Sequence, residues 1–255
     1  MSQPSNPFAV SFVGAGPGAA DLITLRGASC LASARVVLFD ALTDPALRDM
    51  APQARWINVG KRGFDFAEQQ CNINQLLVQH GQADAPVVRL KGGDPSVFGR
   101  LEEEILAVTG AGLSYQVVPG VTAALAAAAQ AGRPLTRRAI GRSVSLTTAM
   151  THLGTLQATR TADTEVFYMA GRQLPELALH LQTAGWPGET PVLVLSRAGW
   201  PDALLTDHLV NTLGSAAALH AGRPAVVTVG AGAMAVQGKT TSLDRPQPPD
   251  QALNV

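Results

Sequence analysis

Two ionisable residues of opposite charge, Asp40 and Lys61, each follow a short apolar run near the start of the chain. Asp40 ends "RVVLFD", and Lys61 comes directly after "RWINVG". A positioned carboxylate can take a proton from a reacting group, and an ammonium can donate one or stabilise negative charge. Taken alone, such residues are more often a helix-capping Asp and a surface Lys. Acid–base chemistry at this pair is therefore a hypothesis that depends on the surrounding sequence.

A glycine-rich loop, "VGAGPGAADL" (13–22), lies upstream of Asp40. It fits the G-x-G-x-x-A template of a dinucleotide-binding site at Gly14, Gly16 and Ala19. Pro17 interrupts this layout because it lacks an amide donor and holds the preceding residue extended. The helix is then delayed to about Asp21, whose carboxylate can cap it. We therefore predict a rigid, extended turn, and a nicotinamide site is the less favoured alternative.

A second glycine stretch, "KGGDP" (91–95), ends a further apolar run. Gly92 and Gly93 allow the backbone to approach a ligand closely, because no Cβ stands in the way. Asp94 can accept hydrogen bonds from a ribose or an amine. Gly-Asp-Pro is also a frequent tight turn, and for these residues alone the turn is the favoured interpretation.

Arginines are concentrated in one segment that lacks acidic residues. Residues 105–162 contain no Asp or Glu, whereas five arginines occur there, at Arg133, Arg137, Arg138, Arg142 and Arg160. The planar guanidinium binds carboxylates through two parallel hydrogen bonds, so the segment predicts a site for a polycarboxylate. A solvated basic loop and an RNA contact are alternatives that these residues alone leave open.

The elements that must position these residues follow from the apolar pattern, in which short β-branched runs alternate with helical segments. Strands are predicted at 8–14, 35–39, 55–60, 86–91, 113–118, 143–149, 164–171, 190–196 and 224–230, and helices at 20–34, 66–80 and 100–109. This alternation predicts an α/β fold with a largely parallel sheet. The Pro-Gly pair at 119–120 is the candidate linker. The expected organisation is an N-terminal α/β domain, a C-terminal α/β domain and a disordered tail, at 8–119, 120–236 and 237–255.

The composition is that of a compact globular chain, because 46% of the 255 residues are hydrophobic and only 15% are charged. The formal net charge is zero, which argues against a general nucleic-acid or membrane-surface binder. Cys30 and Cys71 have neither metal-ligand spacing nor a disulfide framework. A reducing cytoplasm and no metal site are therefore expected. The start, "MSQPSNPF", lacks the pattern of a signal peptide.

Seven stretches occur in a fixed order: "VGAGPGAADLITLRG", "FDAL", "VGKRG", "VVRLKGGDPSVFGR", "VVPGVTAA", "GRPLTRR" and "VFYMAG". Together they closely resemble the tetrapyrrole methylase family, and within it the branch that C-methylates uroporphyrinogen III. The resemblance covers about residues 8–230 and is most specific in "RLKGGDPSVFGR". It implies two α/β domains of about five strands each with a ligand cleft between them, and a homodimer. It also implies S-adenosylmethionine (SAM) as methyl donor and methylation of uroporphyrinogen III at C2 and C7 to precorrin-2.

The resemblance also implies roles for particular residues, with Asp40 as the base and Lys61 as the acid. Thr122 and Met169, which alone predict a helix cap and a core residue, become SAM contacts. The implied SAM contacts are Pro17, Gly92, Gly93, Asp94, Val97, Thr122, Ala123, Met169, Ala198 and Ala225. The implied substrate contacts are Arg100, Glu103 and Arg138.

The chain departs from the usual family sequence at several positions. It has Ala19 where Asp is usual, Arg137 where His is usual, Leu101-Glu102 in place of Gly-Gly, and Thr148-Ala149-Met150 in place of Thr-Gly-His. These changes bear on substrate identity more than on the fold or the methyl donor. One alternative is therefore a sister C-methyltransferase that acts on a later precorrin. Another is a protein that holds a tetrapyrrole or SAM without turnover.

Overall fold

Two five-stranded sheets, one in each half of the chain, form the framework of the molecule. The computed structural model describes residues 7–41, 43–60, 66–150 and 155–236. The predicted α/β fold with two halves of about five strands each is confirmed. The predicted tail, 237–255, lies outside the described residues.

The first sheet has the strand order β3-β2-β4-β1-β5, and every neighbouring pair is parallel. Its strands are β1 (Val10–Gly14), β2 (Val36–Phe39), β3 (Arg55–Asn58), β4 (Val87–Lys91) and β5 (Tyr115–Val118). The helices of this half are α1 (Leu25–Ser33), α2 (Phe66–Ala83) and α3 (Leu101–Gly110). β1 and β4 are buried at every position, as expected for central strands of a parallel sheet. The apolar side chains form two clusters, one with α1 and the other with α2 and α3.

α1 begins later than the sequence predicts. A 3-10 turn covers Ala20–Leu22, and the helix starts after Thr24. The Thr24 hydroxyl accepts a hydrogen bond from Gly27 N at 3.1 Å, which is the contact of an N-cap. The predicted cap at Asp21 is therefore wrong, because a threonine three residues further on supplies it.

The second sheet has the strand order β6-β7-β10-β8-β9 and is mixed. Its strands are β6 (Val144–Thr148), β7 (Thr164–Tyr168), β8 (Pro191–Ser196), β9 (Leu204–Leu209) and β10 (Ala225–Gly230), and its helices are α4 (Ala123–Ala131) and α5 (Leu174–Thr183). Only β6 and β7 are parallel. The expectation of a largely parallel sheet is therefore wrong for this half. The connection 197–203 is too short for a parallel crossover, so β9 returns antiparallel to β8.

The glycine-rich loop, which belongs to the first half, packs against the second half. A Cβ on Gly18 would lie 2.7 Å from the carbonyl carbon of Gly199 and 2.8 Å from Cδ1 of Trp200. Ala19 N donates a hydrogen bond to Gly199 O at 2.9 Å. This part of the loop therefore serves contact between the halves.

The residues that the structure describes contain neither a membrane-spanning helix nor a metal-binding cluster. Within those ranges no helix is long and apolar enough to cross a bilayer. The same residues contain no group of three or more His, Cys, Asp or Glu side chains that could hold a metal ion.

Candidate functional site

A cavity of about 370 Å³ lies where the carboxyl ends of the first sheet's strands face the second half. This edge is where open α/β sheets bind ligands. All ten predicted SAM contacts line the cavity, namely Pro17, Gly92, Gly93, Asp94, Val97, Thr122, Ala123, Met169, Ala198 and Ala225. Asp40 lines it too. The fold thus brings together residues that the sequence scatters over both halves.

Glycines let the ends of three strands meet backbone to backbone. A Cβ on Gly14 would lie 2.6 Å from Cα of Gly120 and 2.7 Å from O of Gly93. Gly93 N donates to Gly16 O at 2.7 Å, and Gly16 N donates to Gly93 O at 3.2 Å. Gly16 and Gly93 have φ values of +80° and +71°, which glycine adopts readily. The Gly16 amide is used inside the fold, so it does not cradle a pyrophosphate, and a dinucleotide site is disfavoured.

The Asp94 carboxylate ties two of these strand ends together. Its Oδ1 accepts a hydrogen bond from Ser96 N at 2.8 Å, and its Oδ2 accepts one from Gly120 N at 2.9 Å. The first contact makes the turn that Gly-Asp-Pro predicts. Each oxygen keeps a lone pair for a further donor, so Asp94 can hold the loops and still face a ligand.

Tyr168, at the end of β7, connects the cavity wall to α4. Its Oη lies 2.6 Å from Thr122 Oγ1 and accepts a hydrogen bond from Ala124 N at 3.2 Å. The Tyr168 ring packs against Phe98 with centroids 5.0 Å apart. Thr122 occupies the N-cap position of α4 but makes no side-chain capping bond. The tyrosine hydroxyl therefore takes over the capping that the sequence alone assigns to Thr122.

Three non-glycine residues of the cavity wall have left-handed backbone. The φ values are +52° at Phe98, +60° at Met169 and +55° at Arg197. Such conformations are uncommon for bulky residues, cost about 1–3 kcal/mol each, and concentrate at functional sites. Met169 is 55% exposed, so it is not the core residue that its sequence context alone suggests.

The loop that carries Arg197 and Trp200 is held by a carboxylate. Arg197 Nε pairs with Asp202 Oδ1 at 2.8 Å, and the Arg197 guanidinium carbon lies 4.6 Å from the centroid of the Trp200 ring. Arg223 donates a hydrogen bond to the backbone oxygen of Asp202. Two arginines therefore fix this part of the wall from both sides of Asp202.

A buried histidine lies behind the same loop. His220 Nδ1 is 2.9 Å from Ser196 Oγ, which also accepts a hydrogen bond from Arg223 Nε at 2.9 Å. His220 Nε2 is 2.8 Å from Thr206 Oγ1. Burial lowers the pKa of His220, and the charges of His208 and Arg223 lower it further. The neutral imidazole is therefore the form that the fold favours.

Asp40 belongs to a row of charges that we call the Asp40 ion network, formed by Asp40, Arg89, Lys91 and Glu104. Arg89 Nη2 lies 2.7 Å from Asp40 Oδ1, and Arg89 Nε lies 3.0 Å from Glu104 Oε1. Lys91 Nζ lies 2.8 Å from the other Glu104 oxygen. Glu104 is fully buried, whereas the Asp40 side chain is 32% exposed. Gly92 N donates to Asp40 Oδ2 at 3.4 Å.

The pKa values of the two cations in this network move in opposite directions. Burial opposes the charged form of Arg89, but the carboxylates of Asp40 and Glu104 outweigh it and raise the pKa of Arg89. Burial, followed by the charge of Arg89, lowers the pKa of Lys91 despite its contact with Glu104. Lys91 also lines the cavity. It is therefore the cation of the network that releases a proton more readily.

The predicted substrate contacts lie outside this cavity. Arg100 Nε and Glu103 Oε1 form an exposed ion pair at 2.7 Å. Arg138 lines a separate groove of about 470 Å³, formed mainly by residues 136–142. Lys61, the predicted acid, lies outside the described residues.

Three of the five arginines in the acid-free segment have partners elsewhere in the fold. Arg137 donates to the backbone oxygen of Met234 at 3.1 Å. Arg133 is 4% exposed and pairs with Asp207. Arg160 donates to the backbone oxygen of Gly185, and its guanidinium lies 5.1 Å from the centroid of the Trp186 ring. Partners beyond the segment therefore engage these arginines, so the segment's excess of positive charge is not all available to a ligand.

Five prominent residues of the cavity wall are not predicted from the sequence. They are Lys91, Phe98, Tyr168, Arg197 and Trp200. Each lies within two residues of a predicted contact, so proximity along the chain is the signal that could have found them. The hydrogen bonds and ion pairs of these five residues could not be predicted from proximity along the chain, because their partners, such as Thr122 and Glu104, are distant in sequence.

Comparisons with known proteins agree with the geometry. The sequence signature described as Tetrapyrrole (Corrin/Porphyrin) Methylases matches residues 9–230. A siroheme synthase of Psychrobacter sp. (strain PRwf-1) is 37% identical over 230 residues, which cover 88% of this chain and 47% of that protein. The chain therefore spans about half the length of this relative. A uroporphyrinogen-III C-methyltransferase of Pseudomonas aeruginosa is 39% identical over 193 residues, covering 74% of this chain and 79% of that protein.

A solved structure is similar over most of the chain. A uroporphyrin-III C-methyl transferase from Thermus thermophilus, complexed with S-adenyl homocysteine, aligns with a TM-score of 0.76 and 33% identity. The alignment covers 87% of this chain and 96% of that one. The signature matches most of the chain, and the solved structure is similar over 87% of it. This chain therefore belongs to the tetrapyrrole (corrin/porphyrin) methylase family.

Proposed function

We propose that this chain is a SAM-dependent C-methyltransferase that methylates uroporphyrinogen III at C2 and C7 and so forms precorrin-2. The observation that carries the proposal is that every predicted SAM contact, together with Asp40, lines one cavity. The Pseudomonas relative named uroporphyrinogen-III C-methyltransferase supports this activity. The similar Thermus structure with bound S-adenyl homocysteine supports the methyl donor.

The cavity suits a molecule with the size and character of SAM. Its volume of about 370 Å³ falls in the usual range of small-molecule sites. A Cβ on Gly93 would meet only Thr122 Cα, at 3.9 Å, so the bare backbone there leaves space that a side chain would fill. The ten lining residues named above hold SAM in this proposal. When bound, SAM supplies an electrophilic methyl group.

Asp40 is the base in this proposal. Methylation at a pyrrole carbon requires the ring to lose a proton afterwards, and a positioned carboxylate can accept it. Asp40 lines the cavity and its side chain is 32% exposed, whereas the backbone contacts of Asp94 hold two strand ends together. Contacts from Arg89 and Gly92 orient Asp40 and leave it a free lone pair. Lys61 stays a prediction for the acid.

The substrate contacts in this proposal are Arg100, Glu103 and Arg138. Arg100 is held by Glu103 but keeps 44% of its side chain exposed. Arg138 and Arg142 are exposed around the groove of residues 136–142. Exposed arginines suit the carboxylates of a uroporphyrinogen. Arg133 has no part in this, since Asp207 engages it.

A homodimer in the cytoplasm, without a metal and without a nucleic-acid or membrane partner, completes the proposal. The dimer rests on the family resemblance, and the other expectations rest on composition and cysteine usage. Sedimentation of the active protein tests the dimer. An active monomer at micromolar concentration would contradict it.

Mass spectrometry of uroporphyrinogen III incubated with the protein and SAM tests the activity. We expect a product that has gained two methyl groups. Methylation of a later precorrin, with uroporphyrinogen III untouched, would identify a sister enzyme instead. Binding of S-adenosylhomocysteine (SAH) without methyl transfer to either substrate would make the protein a non-catalytic binder.

Asp40→Asn tests the assignment of the base. The amide keeps one acceptor oxygen and nearly the same shape, so the variant should fold and bind SAH. Turnover should fall by about 10²–10⁴, the usual contribution of general acid–base catalysis. Asp49→Asn, which changes an exposed aspartate of the same half, is the matched control and should keep full turnover. Full turnover of Asp40→Asn would reject Asp40 as the base, and lost SAH binding would assign it to the methyl donor.

A further inference from the structure

The guanidinium of Arg89 has little freedom to turn. Its Nε lies 3.0 Å from Glu104 Oε1, and the adjacent Nη2 lies 2.7 Å from Asp40 Oδ1. Its Nη1 donates to the backbone oxygens of Leu90 at 3.2 Å and Leu38 at 3.5 Å. Because the guanidinium is planar and its donors are rigid, these contacts fix its plane. They also fix the direction from which Asp40 is held.

Glu104 is the buried carboxylate that keeps Arg89 in this place. It is fully buried on α3 and shares its two oxygens between Arg89 and Lys91. Arg89 and Lys91 are two residues apart on β4, so their side chains leave the same face of the sheet. Without the charge of Glu104, two buried cations would face one carboxylate, that of Asp40. Uncompensated buried charge is strongly unfavourable, so the arrangement would change.

Glu104 also connects two parts of the proposed active site. It follows Glu103, a proposed substrate contact, on α3. Through Arg89 it reaches Asp40, which follows β2. We propose that Glu104 is a positioning residue: acting through Arg89, it fixes the Asp40 carboxylate at the cavity. This inference rests on the proposed function for the role of Asp40 as base.

A double-mutant cycle on turnover tests this inference. Glu104→Gln keeps the size of the side chain and removes its charge. We expect turnover to fall about tenfold to hundredfold, which lies within the range of coupling measured for residues in one network, while SAH affinity stays within about twofold. In the Asp40→Asn background the same change should have no further effect, because Glu104 acts through Asp40. A radiolabelled methyl group measures the residual turnover.

The matched control is Glu176→Gln, which removes a carboxylate from α5 that is 54% exposed. It should leave turnover unchanged in both backgrounds. If Glu104→Gln does not fold, the pair Glu104→Gln/Lys91→Met replaces it, since this pair removes one charge of each sign. The same cycle applies to that pair. Equal loss of turnover in both Asp40 backgrounds, or no loss in either, overturns the inference.

Crystal structures of the wild type and Glu104→Gln give a readout that does not depend on catalysis. We expect the contact between Arg89 Nη2 and Asp40 Oδ1, 2.7 Å in the wild type, to lengthen beyond hydrogen-bond distance or to split between conformers. An unchanged contact overturns the inference. If the wild type transfers no methyl group to uroporphyrinogen III, the proposed function fails. The two crystal structures still decide whether Glu104 positions Asp40.

Discussion

The Gly14→Ala variant tests whether the glycine-rich loop is needed for close packing of the strand ends. Gly14 ends β1 and has no left-handed φ, so alanine can adopt its backbone. The added methyl carbon would lie 2.6 Å from Cα and N of Gly120 and 2.7 Å from O of Gly93. These are backbone atoms, so no side chain can turn away, and the strand ends must separate by about 1 Å. Overpacking costs about 1–3 kcal/mol, and the rigid partners place this case near 3 kcal/mol.

Thermal melting and SAH calorimetry measure the effect of Gly14→Ala. A chain of this size loses about 2–4 °C per kcal/mol, so we expect a drop of about 6–12 °C. SAH affinity should fall as well, because Gly93 lines the cavity. Gly110→Ala, at the end of α3, is the matched control: its Cβ would meet nothing within 4 Å, and alanine favours helix. Wild-type melting and SAH affinity in Gly14→Ala would refute the close-packing explanation.

Three further changes probe other parts of the site. Tyr168→Phe removes the hydroxyl that contacts Thr122 and Ala124 N, so SAH affinity should fall and stability should drop by about 1–3 kcal/mol in urea unfolding; unchanged values would contradict its capping role. Arg138→Ala should leave SAH affinity intact and weaken tetrapyrrole binding by about 1.5–3 kcal/mol in calorimetry, and equal losses for both ligands would show a structural role. Burial lowers the pKa of His220, so the unfolded chain binds the proton more readily, and stability should fall as the pH drops below the ordinary value of 6.5. Urea unfolding across that range should show a flatter pH dependence for His220→Gln than for the wild type; equal dependence would exclude His220 as the cause.

The sequence predicts the first sheet well because its central strands are buried on both faces. Such strands read as unbroken apolar runs, as in β1 and β4. β9 (Leu204–Leu209) is not predicted, since "LLTDHL" is only partly buried and carries polar residues. A strand pattern also does not encode direction. The short connection 197–203 sets β9 antiparallel to β8, and the apolar runs themselves do not show this.

For the site, the sequence predicts which residues line the cavity but not which groups they hydrogen-bond. The family resemblance places Asp40 and Asp94 in one site, and both line the cavity. Their hydrogen-bond partners, such as Arg89 and Gly120, are distant along the chain and follow only from the fold. For the same reason, the lack of acidic residues in 105–162 does not show whether Arg133 is paired, since its partner Asp207 is 74 residues away.

The left-handed backbone of three residues in the cavity wall lowers the stability of the folded chain. Phe98 is supported by its packing on Tyr168, and Arg197 by its pair with Asp202. Met169 also has a left-handed backbone, at φ +60°, yet it is 55% exposed and lines the cavity. An exposed apolar side chain on a strained backbone adds little to the stability of the folded chain. The family resemblance predicts that SAM covers Met169, and the burial gained in this way would offset the strain.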